Sequence, residues 1–187
     1  TFRFKGKMPE AVKEAKEKVS EKASSRLRTS QEVMQALEAE HVIAIVRTSI
    51  FENVEAISEA VIAGGIRTVA ISVAVPQCFR FIETLSSRYP DVVVGACHAF
   101  DGEQAQKAIE AGAKFISSAF IAKDIISVCR NSGILAIQGA QTPTEVMEAL
   151  RSGADMVQIF PAALSGGPLY IRSLKEPLPT TKFVASG

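Results

Sequence analysis

Seven short runs of β-branched and apolar residues recur along the chain: VIAIV from Val42, TVAISV from Thr68, VVVGAC from Val92, FISSAF from Phe115, LAIQGA from Leu135, MVQIF from Met156 and KFVAS from Lys182. Their starts lie roughly 20 to 26 residues apart, an interval that fits one strand plus one returning helix. A half-exposed antiparallel strand would alternate apolar with polar residues. Runs that are almost continuously apolar belong to parallel strands covered on both faces. The segments between them have helical spacing and recognisable ends: Val54, Ile57, Ala60 and Val61 precede Gly64-Gly65, Gln104, Ala105, Ala108 and Ile109 precede Gly112, and Val146, Met147 and Leu150 precede Gly153. Thr29 to Glu32, Asp101 to Gln104 and Thr142 to Glu145 read as capping boxes, the last with Pro143 at the first helical position.

A strand-helix unit repeated at this interval builds either a (β/α)8 barrel or a doubly wound open sheet. No G-x-G-x-x-G or Walker-type loop follows the first run, where TSIFEN leads from Arg47 into a helix, and the units are regular from end to end. The expectation is therefore an α/β fold of the TIM (β/α)8 type with seven countable strands, preceded by N-terminal helices. Residues 1–28 read as a charged helical extension, with Ala11, Val12, Ala15, Val19 and Ala23 forming a thin stripe after Pro9. Such a segment is a solvated arm or a partner-binding helix. Residues 29–187 read as the barrel, C-terminally incomplete as written, because its last strand ends the chain. Closure would fall to further residues, to a partner or to a seven-strand arrangement.

Composition narrows the function classes. With 47% hydrophobic and 22% charged residues the chain is globular rather than disordered, and 21 Lys+Arg against 20 Asp+Glu leave a net charge of +1. No long-range field gathers nucleic acid or an anionic membrane surface. No apolar run approaches the ~20 residues of a transmembrane segment. Three cysteines, Cys78, Cys97 and Cys129, suit neither a disulfide framework nor a zinc site. A soluble protein of a reducing compartment is expected, in the cytoplasm or an organelle matrix such as a plastid stroma, with no metal and no cofactor.

In a barrel the chemistry sits at the C-terminal ends of the strands. The polar and special residues there are Arg47, Ser72, Ala74, His98, Ser118, Gln138, Gln141, Gln158, Phe160, Pro161 and Ser186. Gln158 stands between Val157 and Ile159, where burying an amide without partners costs ~1 to 3 kcal/mol, so it must meet polar groups, water or a ligand. His98 follows Cys97 directly. Strand alternation puts adjacent residues on opposite faces, so the two are not expected to form a nucleophile-base pair. His98 is instead expected to fill space at the strand ends, with Gln158 among its partners.

Several segments taken together resemble the 2-keto-3-deoxy-6-phosphogluconate (KDPG)/4-hydroxy-2-oxoglutarate aldolase family: Val42 to Arg47, Ala63-Gly64-Gly65-Ile66, Val94-Gly95-Ala96, Glu110 to Phe115, Gln141 to Glu145, and Ile159-Phe160-Pro161-Ala162 leading to Ser165-Gly166-Gly167. The resemblance implies a class I aldolase barrel, usually a homotrimer, that splits a keto-deoxy sugar acid through a lysine Schiff base without a metal. It also places Gln158 at the Schiff-base position, Ala70 at the acid/base position and Ala74 where the family carries arginine. A phosphate or other anion would be held by Ser165, Gly166 and Gly167 and by Ser186 and Gly187. An amide nitrogen is delocalised into its carbonyl and forms no imine. The reading that follows is a family member that has lost Schiff-base lyase activity and acts as a binding or structural subunit. Its partners would be a small anionic metabolite, copies of itself as a homo-oligomer, or a larger complex. The alternatives are an active aldolase or lyase on a keto-deoxy sugar acid or related 2-oxo acid, using other residues such as His98 and Arg47, and a sensor of a phosphorylated metabolite.

Overall fold

The computed structural model describes residues 29–50 and 52–187. The expected helix from Pro9 to Arg28 lies outside the described residues. Within them, helices and strands alternate without a break: α1 (Ser30–Glu40), β1 (Ala44–Val46), α2 (Asn53–Ala63), β2 (Thr68–Ser72), α3 (Cys78–Arg88), β3 (Val93–Cys97), α4 (Gly102–Glu110), β4 (Phe115–Ser117), α5 (Lys123–Ser132), β5 (Leu135–Ala140), α6 (Pro143–Ser152), β6 (Met156–Ile159), α7 (Gly167–Lys175) and β7 (Phe183–Ala185). All strand pairs are parallel, and the sheet order is the chain order from β1 to β7. The sheet curls into a partial barrel. Ile43 and Ile45 from the β1 side and Phe183 and Val184 from β7 line one interior cavity, while the two edges are not bonded to each other.

The helix ends follow the local chemistry. Thr29 and Thr142 each cap a helix reciprocally: Glu145 N–H donates to the Thr142 hydroxyl at 3.3 Å and Thr142 N–H returns to the Glu145 carboxylate at 2.7 Å. Backbone N–H groups of Gln141 and Thr142 hold the Glu145 carboxyl below its ordinary range. The third expected box closes only halfway. Gln104 N–H donates to Asp101 at 2.8 Å, but the Gln104 side chain accepts from Phe100 N–H at 3.0 Å rather than from Asp101.

Side-chain alternation divides the core into two layers. Val46, Val69, Ile71, Val94, Ala96, Ile116 and Ala136 face outward and pack under the helices, together with Ile82, Leu85, Ile125 and Cys129. The complementary set faces inward: Ala70, Val93, Cys97, Phe115, Leu135, Ile137 and Met156 share a cluster with Val33 and Leu37 of α1. Helix α1 thus closes the end of the barrel where the strands begin, pinned by Glu40 to the Arg67 N–H and by Glu38 to Lys182. Two inward positions have no side chain because a neighbour takes the space. A Cβ on Gly95 would stand 2.4 Å from the Phe115 ring, and one on Gly139 would stand 2.0 Å from the Ala119 carbonyl carbon.

Candidate functional site

Because Val46 and Ile71 face outward, Arg47 and Ser72 fall on the inner side at the strand ends, and β2–β3 pairing brings Ser72 level with Cys97. The same parity turns Ser117, Gln158 and Ser186 inward. These last three form a hydrogen-bonded line across the barrel. The Ser117 hydroxyl donates to Gln158 Oε1 at 2.7 Å, and Gln158 Nε2 donates to Ser186 Oγ at 2.9 Å. Gln158 is buried, and both ends of its amide are satisfied by side chains. Below this polar layer lies the apolar interior of Ala70, Phe115, Ile137 and Met156, within a cavity of about 770 Å³ that opens between β1 and β7. Lys175 and Lys182 stand at the open side, Lys182 paired with Glu38.

His98 does not bond to Gln158. It adopts φ +60°, in the left-handed region that a residue with a Cβ rarely enters, and this breaks the alternation expected after Cys97. The imidazole turns back toward β2, with Nδ1 2.9 Å from the Ser72 hydroxyl and 3.7 Å from the Cys97 sulfur. Cys97 and His98 therefore do approach each other, contrary to the expectation from strand alternation. They still make no nucleophile-base pair, because burial pushes the Cys97 thiol up to about 12 despite the opposing charge of Arg47. Burial first, and the Arg47 charge second, lower the basicity of His98. Arg47 is exposed and makes no hydrogen bond or ion pair among the described residues.

The other expected site residues divide. Ser186 and Gly187 do meet the segment after β6: Ala162 N–H donates to Ser186 O at 2.8 Å and Ala163 N–H to Gly187 O at 3.0 Å. At the Ser165-Gly166-Gly167 turn, the Ser165 hydroxyl donates to Pro161 O at 2.8 Å and accepts from Gln141 Nε2 at 3.3 Å. Gly166 and Gly167 N–H donate to Ala163 O and Ala162 O, so an anion at this turn competes with internal bonds. Ala70 is buried among apolar neighbours and brings no charge. Gln138 faces away from the interior, accepting from Ala122 N–H at 2.8 Å and supporting the loop after β4. Ser118 likewise serves that loop, accepting from Phe120 N–H at 3.3 Å. The residue that sequence reasoning missed is Ser117. Its signal was parity with Phe115: two residues after an inward aromatic, the next inward position is Ser117, not Ser118.

Among the described residues no group of three or more His, Cys, Asp or Glu side chains is placed to hold a metal ion, and no helix is long and apolar enough to cross a membrane. The family model described as KDPG and KHG aldolase matches residues 33–187. The chain belongs to the KDPG and KHG aldolase family. A 2-dehydro-3-deoxy-phosphogluconate aldolase of Treponema pallidum is 32% identical over 155 residues, 83% of this chain and 74% of that protein. A KDPG aldolase from Legionella pneumophila, in which pyruvate is captured at low pH as a covalent carbinolamine intermediate, superposes with a TM-score of 0.71 at 28% identity, over 78% of this chain and 70% of that one. A chain from a cube-shaped, highly porous protein cage, designed by fusing symmetric oligomeric domains, gives 0.72 at 30% identity over 78% of this chain and 54% of that one. These matches give the curled sheet and its helices the KDPG aldolase-like (β/α) barrel architecture.

The thiols in this KDPG aldolase-family barrel are placed to be inert. Cys78, Cys97 and Cys129 are all buried, and burial raises each, Cys97 and Cys129 to about 12. The folded protein is expected to resist iodoacetamide at pH 8 and to take up three labels only after denaturation. Prompt labelling of any cysteine in the native protein, read by peptide mass, would contradict this placement.

Proposed function

We propose that this chain is a KDPG and KHG aldolase-family barrel that has given up Schiff-base lyase chemistry and works as a binding or structural subunit, holding a small anionic metabolite without a covalent bond. The observation that carries the reading is Gln158, an amide at the centre of the strand-end layer with its oxygen on Ser117 and its nitrogen on Ser186. Such a group neither forms an imine nor needs a ligand to be satisfied. The described lysines, Lys107, Lys114, Lys123, Lys175 and Lys182, all lie outside the strand residues that make this layer. The position read as acid/base is Ala70, which brings no carboxylate to it.

The subunit role would fall to the barrel of residues 29–187 with residues 1–28 as an extension. Self-association is supported by apolar side chains exposed on the loops beyond the strand ends, Phe100, Phe120, Phe160 and Leu164 among them, with the Phe100 and Phe120 rings 6.0 Å apart. A homo-oligomer, a trimer on family resemblance, or a larger complex would cover them. The second reading, an active lyase on a keto-deoxy sugar acid or related 2-oxo acid, draws on the aldolase names of the relatives and on Lys175 at the cavity's open side.

Borohydride reduction separates the two. With pyruvate and borohydride the native chain is expected to keep its mass. A near-stoichiometric pyruvyl adduct would establish the second reading, and peptide mapping would name the lysine that carries it.

A further inference from the structure

We draw no further inference here: the strongest candidate, the apolar cavity between the β1 and β7 edges of the sheet, lined by Ile43 and Ile45 on one side and Phe183 and Ala185 on the other, fits an added strand, which restates the closed (β/α) barrel already established for the family.

Discussion

Gly139→Ala is expected to remove a large part of the stability of the fold. The added methyl would lie 2.0 Å from the carbonyl carbon of Ala119 and 2.1 Å from its oxygen, with Phe120 N at 2.5 Å. All three atoms are backbone, so no rotamer change relieves the contact. The loop after β4 must instead lift away from β5. That motion breaks the bond from Gly139 N–H to Phe120 O and disturbs the Gln138 support beneath Ala122. A cost of about 3 kcal/mol or more is expected, a large part of the ~5 to 15 kcal/mol that holds a domain together. Gly133→Ala is the control, because its Cβ meets nothing within 4 Å and only the positive φ of +65° is strained. Chemical denaturation of both variants checks the contrast. A loss below about 1 kcal/mol at Gly139 would show that β5 and the loop are not in contact at this point.

Gln158→Lys is expected to turn trapping by pyruvate and borohydride from absent to present. The new amine would sit between the Ser117 and Ser186 hydroxyls, at a position only 5% exposed. Desolvation there, with no carboxylate in the layer, lowers the lysine's pKa and raises the fraction of neutral, nucleophilic amine. Turnover should remain a trace, since the lysine's neighbours at this position are the Ser117 and Ser186 hydroxyls and Ala70 supplies no acid/base group. The variant should also be less stable than the parent at pH 7, by about 2 to 4 kcal/mol. The sign with pH is definite: a lysine whose folded pKa is lowered binds fewer protons folded than unfolded, so stability should rise as pH rises toward the unfolded value near 10. Efficient retro-aldol turnover in this single variant would mean that the strand-end layer retains an acid/base group other than the one assigned to position 70.

The strands were legible because burial on both faces leaves a compositional trace that turns and surface helices lack. LAIQGA coincides with β5 residue for residue, whereas the run beginning at Val42 forms strand only from Ala44, on a sheet edge where Val42 and Ile45 stay exposed. Helix starts were legible wherever one side chain and one N–H suffice, as at Thr142. Gln158 could be picked out because a lone amide in an apolar strand demands partners, but those partners come from sequence positions 41 residues before and 28 residues after it. Only the curl of the sheet identifies them. Gln138 carried the same mark, and its outward direction followed from parity with Ile137 once the inner face was known. His98 was the least legible. Histidine carries no marker for positive φ, and that one dihedral overrides the alternation that separates it from Cys97.

Pairing in the sheet runs strictly between chain neighbours, each strand meeting the next after one helical excursion. Every step of sheet growth therefore closes a loop of only about two dozen residues, and loop entropy grows slowly with length, so no step carries an unusual entropic barrier. Such a topology can be laid down vectorially, each unit docking on its predecessor as the chain leaves the ribosome. The contacts that join distant parts of the chain, Glu38 with Lys182 and the packing of Val33 and Leu37 in the cluster that holds Met156, are completed only after the units between them. They act as a latch that converts a growing ribbon of repeats into one cooperative body.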